Sequence, residues 1–285
     1  MSTYPADIPL SFAHLGALEL APPALIEMLG AAGFASTSLR IQPAAPGGIA
    51  YPLATDAERA ETRRRMAATG VEILYVELAL LRRDKPVRDM LPMLETGAAL
   101  GARRVLAVGD DTDFSAVAER LAELCALAKP FNLAIDLEFM PFKPVTSLDD
   151  AVRVLQMAGH PANGCILLDA LHFYRSNSSH AQLRALDPKL IGTFQICDAP
   201  AVAPTTVEGL TFEARQRRLL PGHGGLDLRA LMTAMPAGLE VGVEVPLALD
   251  FPALSAVQRA QLSIKETRTF LAGAVVRPPA DRAGR

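Results

Sequence analysis

The stretch from Asn163 to Asn177, NGCILLDALHFYRSN, opens like a strand headed for a protein interior and closes like the contents of a site. Cys165, Ile166, Leu167 and Leu168 form the near-continuous apolar run of a strand covered on both faces, as parallel sheets require. Asp169 follows at once, then His172 and Arg175. A carboxylate, an imidazole and a guanidinium at the end of a buried strand make sense where strand ends open onto a cavity.

The same unit recurs along the chain. Apolar runs that predict strands are PLSFAHL (9–15), ASTSLRI (35–41), VEILYVEL (71–78), RRVLAVG (103–109), NLAIDLEF (132–139), CILLDAL (165–171), IGTFQIC (191–197) and LEVGVEV (239–245). Amphipathic stretches separate them. Thr55 and Glu58 have capping-box spacing, in which hydroxyl and carboxylate each satisfy an orphan helix N–H, and Gly70 suits the left-handed close of that helix. Ser147 and Asp150 start another helix in the same way. Val117, Leu121, Leu124 and Ala128 fall on one helical face, ready to pack on a sheet.

Strict strand–helix alternation implies parallel strands with crossover helices. Eight strands close a barrel and remove both sheet edges. An open doubly wound sheet usually carries a Gly-rich phosphate loop after its first strand, and here that turn reads HLGALELAPP. The expected fold is therefore a single (β/α)8 TIM barrel over residues 1–285, a length usual for that architecture. The tail from about 275 to 285 is expected to fray. The piece 198–225 reads as a long irregular loop, a type of segment that tends to carry function.

Composition narrows the partners. A net charge of -3 without basic runs argues against nucleic acid. No apolar run reaches the length of a membrane span, and the N-terminus lacks the basic-then-apolar pattern of a signal peptide. Cys125, Cys165 and Cys197 show no CxxC spacing and read as small buried hydrophobes in a reducing compartment. A cytoplasmic protein acting on a small molecule is expected, and barrels of this kind commonly form homo-oligomers.

In a TIM barrel the chemistry sits at the C-terminal ends of the strands. Four consecutive predicted strands end in polar groups: Glu138, Asp169, Gln195 and Glu244. Alternation places each on the face shared with the residue two before it. Pointing inward, they converge at the barrel mouth. Three buried carboxylates repel one another at a cost of several kcal/mol, and a divalent cation removes the conflict. Oxygen donors without cysteine favour a hard ion, Mn2+ or Mg2+, with Co2+ fitting the same geometry. Asp136 shares the parity of Glu138, so it either pairs with a cation one layer down or sits at a bulge.

At these residues the chain resembles the sugar phosphate isomerase/epimerase family with the xylose isomerase-like barrel. The phrases that carry the resemblance are LEFMPF, LLDALHFYRS, QICDAP, RLLPGHGGLDL and VGVEVP, and it covers most of the chain. The resemblance implies one divalent metal held by Glu138, Asp169, Gln195 and Glu244, with Glu138 and Glu244 as the proton-transfer pair. Two departures stand out: Gln195 where many members carry His, and His223 in PGHGG where Glu is common.

The metal would polarise an α-hydroxy ketone and stabilise an enediolate, and the pocket would select the outcome. Metal-dependent isomerisation or epimerisation of a sugar, sugar phosphate or polyol ketone is the leading expectation. Dehydration of a cyclic hydroxy-ketone such as 3-dehydroshikimate is the alternative. His172, three residues past Asp169, is expected to serve a substrate oxygen or a leaving group. Candidate substrate contacts are His14 and Arg40 at the first two strand ends, Arg175 as a carboxylate or phosphate grip, and His223 on a closing loop. Glu77 is a weaker candidate, and His160 and His180 read as solvated. Abasic-DNA cleavage would require more histidines and a basic face, and the intact carboxylate set speaks against a purely binding barrel.

Overall fold

A computed structural model describes residues 2–3, 8–176 and 178–276. Eight parallel strands close into a barrel in chain order. They are β1 (Leu10–Phe12), β2 (Ser36–Arg40), β3 (Glu72–Leu81), β4 (Arg104–Gly109), β5 (Ala134–Glu138), β6 (Gly164–Asp169), β7 (Ile191–Ile196) and β8 (Glu240–Val243). The ring closes where Ser11 and Phe12 of β1 pair with Gly242 and Val243 of β8. All eight expected strands are present. β3 runs on to Leu81, and β6 stops at Asp169 because that side chain caps the next helix, accepting from His172 N–H at 2.9 Å.

The outer layer is formed by α1 (Pro22–Ala32), α2 (Asp56–Thr69), α3 (Leu91–Ala99), α4 (Phe114–Ala128), α5 (Leu148–Met157), α6 (Ala170–Arg175), α7 (His180–Ala185), α8 (Val207–Gln216), α9 (Leu228–Ala234) and α10 (Ala256–Leu271). The Thr55–Glu58 and Ser147–Asp150 capping boxes form, and Gly70 closes α2 with φ +75°. Val117, Leu121, Leu124 and Ala128 of α4 are buried against the sheet. A smaller apolar cluster lies apart from this large core: Leu74, Tyr75, Leu78, Leu106, Val108 and Leu167.

Two expectations are corrected. The piece 198–225 is not irregular throughout, since it contains α8, started by Thr206 accepting from Gly209 N–H at 3.0 Å. Its buried residues are Glu213 and Ala214, so it presents no apolar stripe to read in the sequence. The tail is ordered at its start, where Val275 and Val276 pair antiparallel with Thr3 and Ser2. From 277 onward the expected fraying lies outside the described residues.

One register detail positions the site. Between β6 and β7, Ile166 pairs with Ile191 but Leu167 pairs with Thr193, so Gly192 is skipped in a bulge. Without that extra residue Asp169 would stand opposite Phe194; with it, Asp169 stands opposite Gln195. Gly192 must be glycine for a separate reason, because a Cβ there would overlap Asp136 Oδ1 and the Arg104 guanidinium. No helix among the described residues is long and apolar enough to cross a membrane.

Candidate metal centre

Glu138 ends β5, Asp169 ends β6, and Glu244 follows β8 by one residue, its N–H donating to Ile196 C=O at 3.2 Å. Strand closure brings the three together, each offering one carboxylate oxygen, with those oxygens within 4.8 Å of one another. All three are buried, Asp169 completely. Asp136, two residues before Glu138, does pair one layer down: Oδ1 meets Arg104 Nη1 at 2.7 Å and Oδ2 accepts from Thr193 Oγ1 at 2.5 Å.

A fourth charged group enters that the sequence reading missed. Arg218 is buried and bridges two of the carboxylates, with Nη1 2.6 Å from Asp169 Oδ2 and Nη2 2.9 Å from Glu244 Oε2. Its Nε donates to Ala214 C=O at 2.7 Å, which ties the end of α8 to the barrel mouth. The antiparallel bridge between Asp198 and Leu219 holds the adjacent backbone. Three carboxylates and one guanidinium leave two negative charges uncompensated.

That deficit shows in the acidities. Burial first, then the charges of Glu244 and Asp169, push Glu138 well above the ordinary carboxylate range. Burial also raises Glu244, against the pull of Arg218. Burial would raise Asp169 too, but Arg218, His172 and the His172 backbone N–H outweigh it and hold this carboxyl low. Protons or a dication are the two ways to close such a balance.

Gln195, fully buried, can serve either through the orientation of its carboxamide, and the NH2-inward one satisfies the hydrogen bonds of the metal-free cluster. With the NH2 toward the carboxylates it lies 3.3 Å from both Glu138 Oε1 and Glu244 Oε2, while its oxygen accepts from Tyr75 Oη at 2.5 Å. With the amide reversed, Nε2 donates to Tyr75 Oη at 2.5 Å and the oxygen joins the three carboxylates as a fourth donor. Four oxygen donors around a net deficit of two charges fit a hard dication. The residues present therefore suit the metal that the sequence pattern implies.

Part of the cluster lines a cavity of about 240 Å³: Glu138, Arg218 and Glu244 reach it, as does His172, while Asp169 and Gln195 lie behind them. His172 is buried, its Nε2 3.9 Å from Glu138 Oε1 and its ring edge-on to Phe142. Among the described residues its Nδ1 has no hydrogen-bond partner. Burial, aided by Arg218, lowers its pKa to about 4, so the imidazole is neutral at pH 7. Arg40 and Glu77 also reach the cavity but are engaged with each other: Arg40 Nε donates to Glu77 Oε2 at 2.7 Å, and Ser38 Oγ donates to Glu77 Oε1.

Three expected contacts are not brought to the cavity. His14 is buried behind it, where Nδ1 accepts from Arg40 N–H at 3.0 Å and Nε2 meets Leu20 C=O at 2.9 Å. Both ring nitrogens are thus spent on backbone groups that shape the first two loops. Arg175 makes a buried bidentate pair with Glu213 of α8, at 2.7 and 2.8 Å. His223 is half exposed and pairs with Glu266 of α10 at 3.1 Å. The loop that carries it is fixed by Asp198, whose carboxylate accepts from the N–H groups of Ala199, Gly222, Gly224 and Leu226 at 2.8–3.1 Å. The glycines there allow the approach, since a Cβ at Gly224 would overlap Asp198.

No curated protein sequence matches the chain significantly. Solved structures do. One is the IolI protein with a bound zinc atom, at 22% identity and TM-score 0.77 over 94% of this chain and 99% of that one. Another is D-allulose 3-epimerase from Methylomonas sp. in complex with D-allulose, at 12% and 0.67 over 94% and 98%. A third is the probable 3-DHS dehydratase AsbF, involved in petrobactin synthesis, from Bacillus anthracis, at 14% and 0.70 over 90% and 98%. At these identities the likeness speaks for the fold. The sequence pattern of the xylose isomerase-like TIM barrel matches residues 26–266, nearly all of the closed barrel just described, and the chain belongs to that family.

Proposed function

We propose that this protein is a divalent-metal-dependent isomerase or epimerase acting on an α-hydroxy ketone of sugar or polyol type through an enediolate. The observation that carries this reading is the convergence of Glu138, Asp169 and Glu244, whose oxygens lie within 4.8 Å of one another, with Glu138 and Glu244 lining the cavity; Gln195 would complete an all-oxygen set with its amide oxygen turned toward them. Mn2+ or Mg2+, with Co2+ as a geometric equivalent, suits those donors. When bound, the ion supplies Lewis acidity toward the substrate's carbonyl and hydroxyl oxygens.

The chain's own residues supply the rest. Glu138 and Glu244 come from strands on opposite sides of Asp169 and Gln195, so a planar enediolate between them would present one face to each. Their raised pKa values bring them toward the range in which a carboxyl group both takes and returns a proton. Return to the opposite face gives epimerisation, and return to the neighbouring carbon gives aldose–ketose exchange. Neutral His172 can donate a hydrogen bond to a substrate oxygen without adding charge. Arg218 orients Asp169 and Glu244 and limits the charge the ion must balance.

Dehydration of a cyclic hydroxy-ketone is the second reading. Arg215 of α8 also lines the cavity, which suits a substrate that carries a carboxylate. The neutral imidazole of His172 would then serve the departing hydroxyl.

Metal content of the purified protein, followed by solvent-deuterium exchange into ketoses, inososes and dehydroshikimate, tests both readings. Exchange without loss of water supports the isomerase, and growth of a conjugated ultraviolet chromophore supports the lyase. Glu244→Gln is expected to abolish exchange with the fold intact. Turnover in that variant within about threefold of the parent removes Glu244 from the mechanism.

A further inference from the structure

The cavity is chemically lopsided. The titratable groups of the metal centre come from β5 to β8 and from Arg218. The opposite wall is apolar: Leu78 on β3, Leu106 and Val108 on β4, and Met140 and Phe142 just past β5, with Ile49 at the rim in the β2–α2 loop. Leu78, Leu106 and Val108 belong to the separate apolar cluster inside the barrel, with Met140 packed against it. This wall is therefore continuous with a packed layer.

The polar groups on the β1–β4 side of the cavity do not offset this. Arg40 and Glu77 are paired with each other, and Glu77 accepts in addition from Ser38. Lys143, in the loop after β5, is likewise paired, with Asp110 at 2.9 Å. A sugar with hydroxyls along its whole length would bury several of them against this wall without partners, which is unfavourable. An alkyl or aryl group placed there would leave water for a matching surface.

We infer that the substrate is, more narrowly than the sugar and polyol class above, an α-hydroxy ketone with an apolar body: its oxygenated edge lies on the β5–β8 carboxylates, and an aryl or alkyl portion in place of further hydroxyls fills the half of the cavity walled by β3, β4 and the loop after β5. The placement of the oxygenated edge rests on the metal-dependent reading above; the apolar half rests on the wall alone. The wall thus selects among hydroxy-ketones by the body attached to the reacting carbons. Ile49 is the accessible part of this selector, with 51% of its surface exposed at the mouth.

Binding by Mg2+-loaded and metal-free protein to four probes tests this. Dihydroxyacetone presents the oxygenated edge alone, acetophenone the apolar body without a hydroxyl, 2-hydroxyacetophenone both, and D-fructose a hydroxylated chain. In the loaded protein 2-hydroxyacetophenone is expected to bind about tenfold or more tightly than dihydroxyacetone, with D-fructose no tighter than dihydroxyacetone. Ile49→Ser and Met140→Ser should each lower the ratio of 2-hydroxyacetophenone to dihydroxyacetone affinity by about threefold or more. The Ile49 variant guards against a folding defect, because that side chain lies at the surface.

D-fructose binding as tightly as 2-hydroxyacetophenone, or a ratio unchanged in both variants, overturns the inference and leaves the metal reading standing if dihydroxyacetone binding still needs Mg2+. Acetophenone bound equally with and without metal, together with dihydroxyacetone bound under neither condition, sustains the apolar half and removes the metal reading. Failure of every probe to bind overturns both.

Discussion

Asp136 and Glu138 sit two residues apart on β5 and face the same interior, yet their surroundings differ in kind. Asp136 lies toward the N-terminal end of the barrel, where each of its oxygens has one partner: Arg104 Nη1 at 2.7 Å and Thr193 Oγ1 at 2.5 Å. One carboxylate meets one guanidinium, and the charge balance closes. Glu138 lies at the C-terminal end among Asp169 and Glu244, and the guanidinium of that cluster, Arg218, is engaged by the other two. Burial penalises both carboxylates first, but only at Glu138 do neighbouring charges add to the penalty instead of relieving it. The difference teaches how to recognise a working site inside one barrel. A buried ion pair that balances serves structure, whereas a buried cluster left short of positive charge is made to receive it.

The most severe test of that contrast is a matched pair of amide substitutions. Glu138→Gln is expected to cut proton exchange by about 10³-fold or more and to weaken metal binding. Its melting temperature without metal should not fall, since the change removes a charge the fold does not balance. Asp136→Asn is expected to do the reverse. It leaves the half-buried Arg104 without its nearest counter-ion, at a cost of about 1–2 kcal/mol, while metal content stays near one ion per chain. If both variants lose metal and neither loses stability, the two ends of the barrel do not differ as described.

A smaller effect separates protons from metal as the source of compensation. Because burial and neighbouring charges raise Glu138 well above its ordinary value of 4.5, metal binding is expected to displace a proton there. Calorimetry in buffers of different ionisation enthalpy should show proton release on Mn2+ binding, and affinity should rise with pH by up to about tenfold per unit for each proton displaced. The stability of the metal-free protein carries the matching sign. The Glu138 contribution is fully present below the unfolded value and is lost as pH rises through the raised folded value. His172 contributes in the opposite direction, losing stability as pH falls from 6.5 toward its lowered value of about 4. An affinity that is flat with pH would mean that the carboxylates are already ionised without metal.

The least effect is expected at His223. Half exposed and paired with Glu266 at the surface of α10, it stands outside the cavity lining. His223→Ala should change turnover by less than about twofold, as surface pairs generally do. A loss beyond about tenfold would require the loop to close over the substrate, as the sequence reading expected.

Much of this architecture was legible residue by residue. Apolar runs ending in Glu138, Asp169 and Gln195 located strands β5 to β7, because a parallel barrel buries both strand faces and leaves polar groups only at the ends. The capping residues Thr55 and Ser147 started their helices where hydroxyl and carboxylate spacing put them. Arg218 was harder to see. It lies in a run of four residues containing three arginines, Arg215, Arg217 and Arg218, and local sequence does not say which one turns inward. The strand-like bridge between Asp198 and Leu219 makes that choice by fixing the backbone beside it. His14, Arg40 and Arg175 were expected as substrate contacts, but their partners, Leu20 and the backbone of Arg40, then Glu77, then Glu213, are remote in sequence or come from the backbone.

The sequence alone therefore determined the alternation of strands and helices, the closure number, and the polar strand ends, because each depends on local periodicity and on which side chains tolerate burial. The tertiary structure decided what local periodicity cannot carry. The bulge at Gly192 set Gln195 and not Phe194 opposite Asp169. Chain segments far apart in sequence delivered Arg218 to two carboxylates, and an apolar wall came to face the carboxylate cluster. Charge compensation and cavity shape are properties of groups converging in space, and convergence is fixed only once the barrel closes.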